Sequence, residues 1–302
     1  MSSFYVSILE QGLIFGVMVL GVYITYRILE FPDLSVEGSF PLGAAVTAAC
    51  LMSGINPYAA SLFSLMAGAL AGAATGFLNV KLKISGLLSG ILVMTGLYSI
   101  NLRIMGKVNV PLFNNATIFP GFMSAAVIAA IFAIAVKLCI DLFLKTKFGF
   151  MLIATGDNPK LVTSLGMSTG TTKLIGLMIS NGLVALSGSM MAQYQRYSDA
   201  GMGQGVMVMG LASVIFGQTL LGRFAFIRPT TAALIGSILY RMCIALALKL
   251  GFPATDFKLI TSIIIVIALA VNNNKSKLRL KKISAKEGSP NAQDPESVKS
   301  IL

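Results

Sequence analysis

The side chains that most often do acid–base or metal chemistry are scarce in this chain: 11 carboxylates, three cysteines and no histidine. Without histidine, nothing resembles a nucleophile–base–orienter set. Cys50, Cys139 and Cys243 lie far apart, each within an apolar run, so neither a disulfide framework nor a zinc spacing is present. No Gly-x-x-x-x-Gly-Lys-Ser/Thr loop occurs, so the chain has no P-loop of its own with which to hydrolyse ATP. A non-catalytic protein with no metal or cofactor is the expectation.

Polar groups do collect in three unusual places. The stretch EFPDLSVEGSFPLGA (residues 30–44) puts Glu30, Asp33 and Glu37 beside Pro32, Gly38 and Pro41, between two apolar runs. Such a segment is either a plain loop or a discontinuous span. The second is tolerated within a membrane only where the irregular backbone lines a cavity or packs in protein. In that case Asp33, Ser35, Glu37 and Ser39 are expected to face a translocation route. The stretch GLYSINLRIMG (96–106) ends another run with Tyr98, Ser99, Asn101 and Arg103, as an interfacial anchor or as contacts for a polar solute. Arg241 lies well inside ALIGSILYRMCIALALKLG, where an arginine is costly and marks function unless it snorkels or bonds to a neighbour's carbonyls. Lys137 and Asp141, four apart on one helix, read as a structural ion pair.

The elements that must position these groups are membrane spans. The chain is 56% hydrophobic and only 11% charged, with mean hydropathy +0.84, whereas soluble domains carry roughly 25% charged residues. The apolar runs are long and continuous, unlike the alternating ten-residue segments of an outer-membrane barrel. Runs long enough to cross about 30 Å of hydrocarbon occupy residues 8–29, 58–80, 84–104, 122–144, 170–194 and 229–249. Shorter or glycine-broken runs lie near 38–54, 205–221 and 257–272, either broken one being a candidate re-entrant segment. The fold class expected is therefore an all-α polytopic membrane protein with about eight to nine transmembrane helices. The N-terminus lacks the basic region and cleavage site of a signal peptide, so the first span is expected to be retained.

The net charge of +12 does not point to nucleic acid. Lys275, Lys277, Arg279, Lys281, Lys282 and Lys286 crowd just beyond the last apolar run without interleaved aromatics. Such a cluster is a topology signal and a contact for anionic membrane lipid. Residues 1–274 form the expected transmembrane domain and 275–302 a basic, disordered tail. Lys81 and Lys83, then Lys145, Lys147, Lys160 and Lys173, then Arg223 and Arg228 fall in alternate connections. The positive-inside rule places these and the C-terminus in the cytoplasm, and the N-terminus outside.

One of those cytoplasmic connections, TGDNPKLVTSLGMS (155–168), reads as a short helix. Asn158 is its N-cap, Pro159 its first residue, and Gly166 its stop. Leu161, Val162 and Leu165 are expected on one face, with Lys160 at the rim. About two turns cannot stand alone in water. Such a plug suits the groove of a soluble partner, although a helix lying on lipid has the same pattern. An ion-coupled carrier, the alternative, places ionisable side chains within its spans. Here Asp157, Asp199, Asp256, Glu287, Asp294 and Glu296 lie outside them, and only the 30–37 cluster could serve.

At this point a resemblance becomes visible. FGFMLIATGDNPKLVTSLGMSTGTTKLIGLMISNGLVALSGSMMAQYQ (148–195) resembles the coupling-helix segment of ABC importer permeases of the branched-chain amino acid and ribose type. Residues 12–48 resemble that family's N-terminal pair of spans, and 251–271 its last outer loop and closing span. The amino acid branch carries a Gly-Gly-Ile-Gly-Ser-type loop where this chain has FGQTLLGR (216–223). The nearer likeness, carried largely by GILVMTGLYSINLRIMGKVNVPLF (90–113), is to a subgroup paired with tryptophan- or tyrosine-binding lipoproteins. The resemblance implies a bacterial plasma-membrane importer that passes a small polar solute, preferably an aromatic amino acid. It implies a homodimer of this chain, two copies of a cytoplasmic ATPase holding ATP and magnesium, and an extracytoplasmic binding protein. It assigns ATPase coupling to Gly156, Asp157, Asn158, Pro159, Lys160, Leu161, Val162, Leu165 and Gly166. The translocation residues it suggests are those of the 33–39 break and the 98–103 cluster.

Overall fold

The computed structural model describes residues 2–119, 124–222 and 226–250, together with 259, 262, 263 and 266. Its described elements, in chain order, are α1 (Ser2–Tyr23), a π-helical turn (Ile24–Ile28), α2 (Val36–Met52), α3 (Pro57–Val80), α4 (Gly86–Met105), β1 (Asn109–Pro111), α5 (Ala125–Leu144), α6 (Lys147–Asp157), α7 (Pro159–Ser164), α8 (Thr169–Gln195), β2 (Tyr197–Asp199), α9 (Val206–Leu221) and α10 (Pro229–Lys249). The chain is an all-helical, multi-pass membrane protein. Among the described residues, six helices are long and apolar enough to cross a membrane: Phe4–Ile28, Pro57–Val80, Gly86–Met105, Ala125–Leu144, Thr169–Gln195 and Pro229–Ala247. Val36–Met52 and Val206–Leu221 are apolar but shorter. The six long runs of the sequence match the six membrane-length helices, and two of its short runs match α2 and α9. The third, at 257–272, and the tail lie outside the described residues.

Helices in lipid gain nothing from the hydrophobic effect when they associate, so close packing and interhelical hydrogen bonds must hold them. Both act on α1 and α8, the most buried of the long helices. Three serines clamp α1 through its carbonyl groups. Ser187 and Ser180 of α8 donate to Ile14 and Gly21, and Ser237 of α10 donates to Gly12, each at 2.8 Å. On the other side, α8 lies against α2 and α3. Gly188 meets the carbonyl of Phe40 so closely that a Cβ there would overlap it. Around that contact Thr47 bridges Ser64 and Ser189, at 2.8 and 2.6 Å, and Ser61 joins Ser189 to the Gln193 amide at 3.0 and 2.9 Å. The exposed apolar side chains of α3, α4 and α5, such as Leu70, Leu92 and Ile131, point away from this core.

Where the chain leaves α8, β2 pairs antiparallel with β1, Val110 opposite Ser198. It then turns back, and the N–H of Gly205, at the head of α9, donates to Glu37 Oε1 in the first turn of α2 at 3.1 Å. The two short helices therefore begin beside each other. At 1.5 Å per residue α9 spans only about 24 Å, less than the hydrocarbon core.

The Lys137–Asp141 pair forms at 2.9 Å, and Asp141 does more than the sequence suggested. Its carboxylate also takes Arg228 at 2.9 Å and the Thr230 hydroxyl at 2.6 Å, fastening α5 to the first turn of α10. Asp141→Ala should leave three polar groups unpartnered and cost about 2–3 kcal/mol, as for hydrogen bonds to a charged group. Asp141→Asn, which keeps a hydrogen-bonding amide, should cost less. Thermal unfolding of the purified variants in one detergent measures both.

Candidate translocation route and coupling helix

The break between α1 and α2 begins with a π-helical turn, in which Leu29 N–H reaches back to the Ile24 carbonyl at 3.0 Å. Such turns recur at functional sites because one extra residue disrupts the helical ladder. Glu30 then adopts φ +51°, a left-handed conformation that a side chain normally avoids. Phe31 N–H returns to the Thr25 carbonyl at 2.9 Å.

Asp33 closes the break. One carboxylate oxygen accepts both the N–H and the hydroxyl of Ser35, and the other accepts the Asn181 amide of α8 at 2.8 Å. Asn181 in turn accepts the Ser39 hydroxyl at 2.6 Å, with the Ser35 hydroxyl 3.2 Å away, and donates to its own helix at Leu177. All four side chains are completely buried. Residues 30–44 are thus not a plain surface loop. The water-facing part is the chain before Asp33: Tyr26, Arg27, Glu30 and Pro32 line a cleft of about 760 Å³ with Gln218 and Thr219 of α9. Asn181 carried a signal the sequence reading passed over, an amide in the middle of a long apolar run. Glu10 was passed over too. This buried carboxylate in α1 accepts the Tyr194 hydroxyl at 2.8 Å and the Ala126 N–H at the start of α5 at 3.1 Å.

The 98–103 cluster does not act as a unit. Tyr98 and Ser99 are exposed on α4. Asn101 is buried and donates to the Gly38 carbonyl of α2 at 3.2 Å. Arg241 lies across the face of Phe15, its guanidinium carbon 3.9 Å from the ring centroid. It borders a second cleft, of about 550 Å³, walled by α1, α2, α9 and α10. The two clefts lie at successive levels along the same two helices. Phe15 and Met209 belong to the cleft at Arg241, and Arg27 and Gln218 to the cleft at Glu30.

The short helix α7 forms with the expected ends. Asn158 accepts the Leu161 N–H at 3.2 Å, Pro159 is the first residue, and Gly166 has φ +75°. Its faces differ from the expectation. Leu161 and Leu165 are 51% and 68% exposed, but Val162 is only 2% exposed. Successive helical residues are separated by about 100°, so Val162 turns into the chain while the leucines, four apart, share the outer face. Gly156 and Asp157 belong to the end of a separate helix, α6, which the sequence reading did not distinguish. A Cβ at Gly156 would fall 1.8 Å from the Ile28 carbonyl oxygen. The end of α6 therefore sits directly on the π-helical turn, and Asp157 lines a cleft of about 590 Å³ with Tyr23, Arg27 and Ile28.

The chain belongs to the family described as branched-chain amino acid transport system / permease component, whose model matches residues 4–270. It is an ABC importer permease, a non-catalytic membrane subunit. Membership implies a separate ATPase that hydrolyses the ATP and a substrate-binding protein. It also replaces the ion-coupled carrier as an explanation of the polar break. A tyrosine transport system permease protein of Clostridioides difficile (strain R20291) is 51% identical over 281 residues, covering 93% of this chain and 95% of that protein. Among solved structures, PsaBC from Streptococcus pneumoniae in complex with Fab aligns with TM-score 0.53 at 13% identity. It covers 86% of this chain and 89% of the other. A metal-chelate type ABC transporter in an inward-facing conformation aligns with TM-score 0.52 at 14% identity, over 89% and 84%. These two likenesses concern the fold alone.

Two outcomes follow from the geometry of the break. With the three native cysteines replaced, a cysteine at Glu30 should react with a water-soluble maleimide and one at Ser39 should stay shielded, as read by mass-tag labelling. Gly156→Ala should lower thermal stability by about 1–3 kcal/mol through overpacking. Gly96→Ala in α4, where an added Cβ meets nothing within 4 Å, should be neutral or gain up to about 1 kcal/mol of helix propensity.

Proposed function

We propose that this permease imports an aromatic amino acid, tyrosine or a close analogue, handed to it by a binding protein, and that it works as a homodimer. The substrate class rests on the similarity to the tyrosine transport permease. In this reading α7 is the cytoplasmic coupling helix, and the ends named Gly156, Asp157, Asn158, Pro159, Lys160 and Gly166 hold it in place. The C-terminus and the basic tail, residues 275–302, lie on the same cytoplasmic side, and the N-terminus lies outside. Residues 1–274 form the permease domain, with α2 and α9 as shorter spans and a closing span within 257–272.

The observation that carries the mechanism is the seat of α6 on the π-helical turn. The line of contact runs from exposed Leu161 and Leu165 through Asn158 to Gly156, against Ile28, and on to Glu30 and Asp33. Movement of an ATPase against α7 would reach the break between α1 and α2 without crossing a flexible loop. The two clefts beside α1 and α9 would then be the inner and outer parts of the route. Glu30 and Arg27 border the inner one and Arg241 the outer one. Asp33, Ser35, Ser39 and Asn101 would hold the wall between them, with Glu37 joining α2 to α9. Tyr98 and Ser99, exposed on α4, would lie on the outer flank.

Burying Leu161 and Leu165 in a groove of the ATPase should contribute about 1.5–3 kcal/mol each. Leu161→Asp and Leu165→Asp would forfeit that and desolvate a charge at the contact. Both variants should insert and assemble, because neither residue is buried in the chain and no span is altered, yet lose co-purification of the ATPase and its stimulation by loaded binding protein. Lys160→Ala should do far less, since a solvated rim charge is worth little. Retention of a coupled ATPase in both aspartate variants would make α7 a helix that rests on lipid.

A further inference from the structure

We infer that the cleft at Arg241 is a binding site for the substrate itself, taking the carboxylate of an aromatic amino acid on the guanidinium and its ring against the apolar lining at Met202, Val208 and Met209. This inference rests on the importer reading above and adds a ligand contact within the membrane subunit. The rings of Phe15 and Phe40 lie parallel, 5.6 Å apart with an interplanar angle of 7°, and both border the cleft. Stacked on each other and only 7% and 1% exposed, they offer no free face, and the apolar surface of the cleft is that of Met202, Val208 and Met209.

Arg241 covers one face of Phe15 at cation–π distance, which offsets part of the cost of a cation among apolar helices. Among the described residues it has no ion-pair partner. Both ion pairs among the described residues belong to Asp141. Two carboxylates of the helices that wall the cleft are already engaged: Glu10 by Tyr194 and Ala126, and Glu37 by Gly205. A guanidinium with no carboxylate on it among the described residues is complementary to that of a ligand. Gln11 and Gln195 bring amide groups to the same cleft, whose oxygens suit an α-ammonium. The cleft, about 550 Å³, falls in the range of roughly 300–1,000 Å³ typical of small-molecule sites. A conducting protein needs such a site to bind weakly enough to release its cargo.

The test is equilibrium dialysis of the purified permease–ATPase complex against radiolabelled L-tyrosine, with no binding protein present. Wild type should bind saturably in the millimolar range. L-Phenylalanine should displace the label. Tyramine, which lacks the carboxylate, and L-alanine, which lacks the ring, should not. Arg241→Met should weaken binding by at least roughly tenfold, the loss expected for a hydrogen bond to a charged group, and Arg241→Lys should restore part of it. Absence of saturable binding, equal displacement by tyramine, or binding unchanged in Arg241→Met would overturn the site. If Arg241→Met fails to assemble, the wild-type competition series decides alone. Uptake into wild-type proteoliposomes separates the two levels. Without uptake driven by tyrosine-loaded binding protein, the proposed function fails. With uptake but without ring- and carboxylate-dependent dialysis binding, only this site does.

Discussion

Backbone that leaves the helix among apolar helices must find partners for its N–H and C=O groups within the protein, because lipid supplies none. In this chain that constraint falls on the residues between α1 and α2, and Asp33 meets it. Its carboxylate takes the amide and hydroxyl of Ser35 on one side and Asn181 on the other. The bond to Asn181 ties the break to the middle of α8, the helix that also carries Ser180 and Ser187 to α1. This link helps to fix the start of α2, and with it the head of α9, which Glu37 holds one turn further along.

In the proposed function the same arrangement acts as a rigid lever. In membranes, close contact between helices depends on small residues and hydroxyl–carbonyl bonds, and both are dense around α8. The peripheral elements are looser: α7 exposes two leucines, and Arg228 holds Asp141 from a half-exposed position. Rigid helices that meet an exposed short helix through close packing, Gly156 against Ile28 included, are what a coupled transporter requires. Physical coupling of this kind needs a contiguous element with two discrete arrangements. The π-helical turn is suited to be that element, since its ladder is already interrupted.

The charged groups divide by what surrounds them. Asp141 is saturated with cations and a hydroxyl, Asp33 with neutral donors, and Glu10 with a phenol and a helix N–H. Each carboxylate holds helices together. Arg241 differs, because its described partner is an aromatic face. A charge held against an apolar ring at the edge of a cleft keeps its donors for something else.

The sequence by itself determined the spans, the short helix and the broken segment. Long apolar runs can be satisfied in lipid only as helices. Asn158, Pro159 and Gly166 are local signals whose physics acts within a few residues, and they set the ends of α7 as read. Pro32 marked the irregular backbone after Glu30, but Gly38 and Pro41, read as part of the same break, lie inside the regular helix α2. Only the tertiary structure decided who meets whom. Asn181 looked like an isolated amide until folding brought it to Asp33. Arg241 met Phe15, and Asp141 gained Arg228 and Thr230, through packing between helices far apart in the chain. The inward turn of Val162 and the separate helix α6 were hidden for a related reason. The apolar residues there serve two surfaces at once, the chain's own helices and whatever covers the outer face, and spacing alone does not say which residue faces which.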